Sequence, residues 1–195
     1  MIASEQQLKA AWQRVDDRLS ALQRRHSEKG DIPLYEAALN PPATEKELQQ
    51  LERALGMPIP FELAYSLKQW SGRWIAHDHV IDLTSIQDQL QYLAGKSTTP
   101  EEYADETFEQ VTGPINPILD SKKRICFGAH EGSDTGLYLD YEVPPAGGSL
   151  GQVIRIGANL NAEYVAASFV DFLNMIADAP VYDDDPDFDP LELQP

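Results

Sequence analysis

The sequence predicts an α+β fold, in which a twisted, mostly antiparallel sheet of about five strands has helices packed around it. Residues 136–142 alternate apolar and polar side chains with the period of two that is typical of a half-buried strand. Two more short apolar runs, 124–128 and 152–157, lie on either side of it along the chain. Capped helical patterns precede and follow this region. Three strands that share one apolar face form about the smallest stable sheet.

The first 40 residues predict a helix followed by a linker. Ser4 and Gln7 have the spacing of a capping box, in which each residue satisfies a backbone N–H near the helix start. A helix that ends near Gly30 would carry one apolar stripe, formed by Leu8, Trp12, Val15, Leu19 and Leu22. The stripe is too short for a coiled coil, so we expect it to pack on the rest of the protein, although an intermolecular role stays open.

Residues 41–179 predict the main domain, which begins with two helices. Thr44 and Glu47 form a second capping box, and Gly56 ends that helix. Pro60 fits the first turn of the next helix, which Gly72 would end.

An extended segment, a helix and a loop are predicted next. Residues 74–83 form the first strand, and residues 84–94 form a helix that Gly95 stops. Thr99 and Pro100 begin one more helix, and residues 112–122 form a loop.

The second half of the domain supplies the remaining strands. Segments 124–128, 136–142, 152–157 and 163–166 are predicted strands, and Ser168 caps a last helix over residues 169–177. Residues 180–195 form an acidic tail with too few apolar side chains to order itself, so we expect it to be disordered.

The charge of the chain favours a protein partner. The formal net charge is −17, from 32 acidic and 15 basic side chains. Such a chain is unsuited to nucleic acid or to an anionic membrane surface, because both recruit Lys and Arg. An acidic surface attracts a basic partner and speeds its association, although solubility alone is an equally good explanation of the charge.

The same sequence predicts a cytoplasmic protein without disulfides. Cys126 is the single cysteine, and it lies in an apolar run, so burial is favoured over reactivity. The N-terminus lacks the pattern of a signal peptide, and no apolar run approaches the ~20 residues of a membrane span.

No arrangement of residues predicts catalysis or a cofactor. His77, Asp78, His79 and Asp82 are the best metal candidates, with His130 and Glu131 as additional ligands. In a strand, however, the two His side chains share one face while Asp78 points to the other, and no third ligand is evident. The chain also lacks a nucleophile elbow and a phosphate-binding loop. We therefore predict a protein that is not an enzyme and that needs no cofactor or metal.

A succession of motifs is shared with one known family. They are Thr44-x-x-Glu47-Leu48-x-x-Leu51, Pro58-Ile59-Pro60, a strand that ends in Asp140, Pro144-Pro145-Ala146-Gly147-Gly148, Gly151-Gln152-Val153-Ile154 and Ala167-Ser168-Phe169. In this order, over roughly residues 40–177, they resemble the SUKH superfamily. That superfamily contains the fungal cell-wall synthesis regulator and many bacterial toxin-immunity proteins.

The resemblance implies a protein that binds a partner without catalysis. The bacterial branch implies an immunity protein that neutralises a cognate toxin domain with a basic surface. The fungal branch implies a regulatory or scaffold protein of cell-wall synthesis. A metal-dependent hydrolase is the third and weakest alternative.

The predicted site comprises strand 136–142, the turn before it and the loop after it. Asp140 is expected to accept loop N–H groups and fix the turn, as Asp does in Asx turns, and Gly147 and Gly151 are further turn residues. The predicted partner contacts lie on the polar face of the strand and in the preceding turn: Glu131, Asp134, Tyr138 and Glu142.

Overall fold

The structure is a computed structural model that describes residues 4–29, 41–70, 73–74, 81–96, 106–119, 121, 123–130, 135–157 and 159–179. In these ranges the chain forms five helices, which are α1 (Glu5–Lys29), α2 (Glu45–Leu55), α3 (Phe61–Gln69), α4 (Ile86–Lys96) and α5 (Phe169–Asp178). It also forms seven strands, which are β1 (Arg73–Trp74), β2 (Ile81–Leu83), β3 (Gln110–Thr112), β4 (Arg124–His130), β5 (Thr135–Asp140), β6 (Gln152–Ile156) and β7 (Asn161–Ala166). None of the helices in the described ranges is both long and apolar enough to cross a membrane.

The strands form one sheet of order β1-β2-β4-β5-β6-β7-β3. Neighbouring strands are antiparallel except β3 and β7, which are parallel. The predicted α+β class and the mostly antiparallel sheet are therefore confirmed. The single strand predicted over residues 74–83 is wrong, because this stretch contributes the two short strands β1 and β2, which pair with each other. Strand β3 was not predicted at all.

Helix ends follow the local capping signals closely. Thr44 Oγ1 accepts from the Glu47 N–H at 3.3 Å, a Glu47 carboxylate oxygen accepts from the Thr44 N–H at 2.8 Å, and Gly56 ends α2 with φ 69°. Ser168 caps α5 by accepting from the Asp171 N–H at 3.1 Å.

The predicted boundaries of two helices are wrong: α4 continues through residue 95 to Lys96, and α3 already ends at Gln69.

The main hydrophobic core lies between one face of the sheet and the helices. Its side chains from the sheet alternate with those of the opposite face and include Ile125, Phe127, Leu137, Leu139 and Val153. Helix α1 belongs to this core, because Leu8, Trp12 and Val15 are at most 2% exposed. The Trp12 indole N–H also donates to Ser66 Oγ of α3 at 3.0 Å. The prediction that the stripe of α1 packs on the rest of the protein is thereby confirmed.

The opposite face of the sheet is covered by the residues of the segment 106–119 that flank strand β3. Phe108 and Ile115 of this segment form a second buried cluster with Ile154 and Ala162 of the sheet, and Tyr138 packs against it. The expectation that Tyr138 stands on a polar face is therefore wrong. The sequence did not predict that this face is covered, because residues 106–119 have no regular apolar pattern that indicates packing on a sheet.

Candidate partner-binding surface

The end of β5 is fixed by a buried ion pair. Arg124 Nε donates to Asp140 Oδ1 at 3.2 Å, and the two side chains are 1% and 0% exposed. The same Asp140 oxygen accepts from the Glu142 N–H at 3.1 Å, which is the bond of an Asx turn. Gln152 Nε2 lies 3.5 Å from the other carboxylate oxygen. Burial raises the pKa of the Asp140 carboxyl, and the Arg124 charge and these hydrogen bonds oppose that rise.

Arg124 also holds the cover of the second face in place. Its guanidinium donates to the carbonyl oxygens of Asn116 at 2.6 Å, of Leu119 at 3.4 Å and of Ile118, and it lies 4.8 Å from the centre of the Phe108 ring. The role of Arg124 was not predicted from the sequence, although the sequence contains a signal for it. A cation that begins one strand and an anion that ends the next lie opposite each other in an antiparallel pair, as the register confirms.

The loop from residue 141 to residue 151 is tightly turned. The Gly151 N–H donates to the Asp140 carbonyl oxygen at 2.7 Å, so the loop closes on the residue that the ion pair holds. Gly147 and Gly151 have φ of 97° and 77°, a region that side chains with a Cβ rarely adopt. Asp140, Gly147 and Gly151 thus lie where a turn needs them, and their contribution to stability stays a prediction.

The predicted partner contacts are only partly brought together. Glu142 accepts from Ser121 Oγ at 2.6 Å and lies 3.7 Å from Lys123 Nζ, and both contacts lower the pKa of its carboxyl. Tyr138 is partly buried, and its hydroxyl lies 3.3 Å from that of Tyr92; burial raises the pKa of the Tyr138 hydroxyl. Glu131 and Asp134 lie outside the described residues.

A groove beside this loop was not predicted. It encloses about 400 Å³ and is lined by Pro60, Phe61, Glu62, Leu139, Tyr141, Leu150, Gly151, Ser168 and Phe169. Its floor is apolar and buried, since Leu139 and Phe169 are at most 2% exposed. Its rim is apolar and open, since Phe61 is 41% and Leu150 is 61% exposed. A leucine among the prolines and glycines of the loop was the available signal in the sequence.

The electrostatics of the groove are dominated by one carboxylate. Burial, assisted by the negative charge of Glu62, raises the pKa of Tyr141 to about 12, so the phenol stays neutral at physiological pH. Glu62 is the one charged residue among those that line the groove in the described part of the chain. The groove therefore combines apolar walls and an apolar rim with one negatively charged lining residue.

Metal binding gains no support from the described ranges. They contain no group of three or more His, Cys, Asp and Glu side chains that could hold an ion. The candidate ligands His77, Asp78 and His79 lie outside the described residues.

A model of one protein family matches most of the chain. Its description is "SMI1 / KNR4 family (SUKH-1)", and the match covers residues 42–175. This range contains α2 to β7 and most of α5, and therefore every residue that lines the groove. No curated protein matches the sequence.

Proposed function

Because the chain belongs to the SMI1 / KNR4 family (SUKH-1), we propose that it acts by binding a protein partner rather than by catalysis. The specific function that we propose is that of an immunity protein, which binds a toxin domain in the cytoplasm and neutralises it. The expected partner has a basic surface, because a chain of net charge −17 attracts such a surface and repels an acidic one.

The observation that carries this proposal is a set of large apolar side chains exposed around one loop. Val143 is 70%, Leu150 is 61% and Phe61 is 41% exposed. Phe61 and Leu150 line the same groove, and Val143 belongs to the same loop as Leu150. Exposed apolar groups that lie close together are typical of protein–protein interfaces. The Asp140 carboxylate and carbonyl bond to the backbone of Glu142 and Gly151 in this loop. We expect these bonds to restrict the conformations of the loop and so to reduce the entropy that binding must overcome.

Acidic side chains near the loop are proposed to steer the partner. Glu142 is held beside Lys123 at the end of β5, and Glu131 and Asp134 precede β5 in the sequence. Charges at the rim of an interface act mainly on the association rate, whereas a buried aromatic anchor acts on dissociation. Tyr138 stays a proposed contact, through the part of its side chain that is exposed.

The test is inhibition and binding of the toxin domain encoded next to this protein's gene. We expect the toxin to lose activity in a stoichiometric complex and the association rate to fall as salt rises. Glu142→Lys should slow association several-fold, whereas Asp17→Lys, the same charge change on α1 outside the family match, should slow it less. A toxin that stays active and unbound would refute the immunity function. Specific binding to a component of cell-wall synthesis instead would favour the scaffold function.

A further inference from the structure

The groove between α3, α5 and the loop of residues 141–151 is large enough to hold one large side chain together with part of a neighbouring residue. Its volume of about 400 Å³ lies near the lower end for ligand-binding clefts. The buried rings and methyl groups of Leu139 and Phe169 form the floor, while Phe61 and Leu150 stand at the rim with large exposed fractions. An apolar side chain placed here would remove both rim residues from water.

The charged residues near the groove determine whether a cation or an anion is favoured next to the bound apolar side chain. Glu62 and Asp171 lie in the first turns of α3 and α5, whose first residues line the groove. Each carries a full negative charge, which exceeds the positive partial charge of about one half at a helix N-terminus. The negative charge of Glu62 also reaches the Tyr141 hydroxyl inside the groove. A cation is therefore favoured beside the apolar side chain, and an anion is disfavoured.

We propose that this groove binds a segment of the partner protein in which a large apolar residue is followed by an arginine or a lysine. The inference rests on the proposed partner-binding function and specifies which part of the partner is bound. The apolar side chain would enter between Phe61 and Leu150, and the cation would lie beside Glu62.

Two other occupants fit the charge poorly. The chain's own segment 180–195 carries six acidic residues between Asp183 and Glu192, which Glu62 would repel. A second copy of the chain carries a net charge of −17 and would be repelled as a whole.

The experiment titrates the full chain, labelled with ¹⁵N, with three blocked dipeptide amides: acetyl-leucyl-arginine, acetyl-leucyl-glutamate and acetyl-alanyl-arginine. We expect saturable shifts of the Tyr141, Gly151 and Phe169 amides with the first dipeptide at millimolar concentrations. The other two should bind at least fivefold more weakly, because one lacks the cation and the other lacks the large apolar side chain.

Matched variants separate the apolar contribution from the charge. Leu150→Ser should weaken binding of acetyl-leucyl-arginine at least threefold, whereas Leu160→Ser, a change at an exposed apolar residue in the turn between β6 and β7 and outside the groove lining, should leave that binding unchanged. Glu62→Gln should remove most of the preference for arginine over glutamate. Glu106→Gln, an exposed acid outside the lining, should preserve that preference.

Four results of the NMR experiments would overturn the inference, and one result of toxin binding would also do so. The four are equal binding of the arginine and glutamate dipeptides, an absence of shifts at the groove, groove resonances that move on dilution of the protein alone, and groove resonances that move when Asp183, Asp184 and Asp185 are replaced by Asn. The third and fourth would assign the groove to a second copy and to the chain's own C-terminal segment. If the toxin binds wild type and Leu150→Ser equally well, the groove inference fails while the immunity function stands.

Discussion

The buried ion pair of Arg124 and Asp140 offers the sharpest test of how the site is held together. The two side chains are 1% and 0% exposed, so Asp140→Ala would leave a guanidinium charge in the interior without its counter-ion. Breaking such a pair from one side costs about 3–5 kcal/mol of the free energy of unfolding. Arg124 keeps the backbone carbonyls that it also binds, so we expect a loss of about 3 kcal/mol, near the lower end.

A second ion pair in the same sheet serves as the matched control. Arg155 of β6 donates to Glu163 of β7 at 3.0 Å, but the two side chains are 20% and 44% exposed. Glu163→Ala should therefore lower the free energy of unfolding by only about 0.2–1 kcal/mol. Urea unfolding followed by tryptophan fluorescence measures both changes. Equal losses for Asp140→Ala and Glu163→Ala, or a loss below about 1 kcal/mol for Asp140→Ala, would refute the reasoning.

Three further predictions concern the helices and the loop. Hydrogen bonds from the N-cap residue Thr44 lower the pKa of Glu47 below its ordinary 4.5, so the contribution of Glu47 to stability is complete above pH 4.5 and is lost as pH falls through the lower folded value. The difference in urea midpoint between wild type and Glu47→Ala should therefore shrink between pH 6 and pH 3, and a constant difference would contradict this. Gly151→Ala should destabilise by about 1–3 kcal/mol in urea unfolding, because its φ is 77° and a Cβ would lie 3.0 Å from the Tyr141 hydroxyl oxygen; a neutral effect would show that the loop can rearrange. Trp12→Ala should cost about 3–5 kcal/mol in the same assay because the indole is 2% exposed, and a loss under 1 kcal/mol would mean that α1 is not part of the core in solution.

The features predicted correctly from the sequence are those with local causes. The capping box of Thr44 and the left-handed Gly56 involve only neighbouring residues, so their pattern is complete in the sequence. The alternation of β5 likewise separates Leu137 and Leu139 from Tyr138 by strand geometry alone. The predicted end of α4 was wrong because one glycine lowers the stability of a helix by only about 1 kcal/mol, which neighbouring residues can offset.

The features that were missed depend on contacts between distant segments. Strand β3 is three residues long and exists because it pairs in parallel with β7, about 50 residues later in the chain. The burial of Arg124 depends on residues 106–119 closing over the second face. The groove is lined by four short stretches, 60–62, 139–141, 150–151 and 168–169, and no single stretch has a sequence pattern that indicates a groove. The site that the sequence predicts near the end of β5 stays a prediction, and sequence reasoning could not show which face of that strand is open.

Side chains at the end of β5 alternate between the two faces of the sheet, so those on one face support the structure and those on the other line the groove. Asp140 points to the second face and is anchored by Arg124, while Leu139 and Tyr141, on either side of it, point to the first face and line the groove. The loop then returns Leu150 to the same groove, because Gly151 bonds to the backbone of the anchored Asp140. A change at Asp140 should therefore act on stability, whereas a change at the exposed Leu150 should act on binding with little effect on stability. Since the two effects arise on opposite faces of one strand, unfolding and binding measurements on the same variants can separate the support of the site from its contacts.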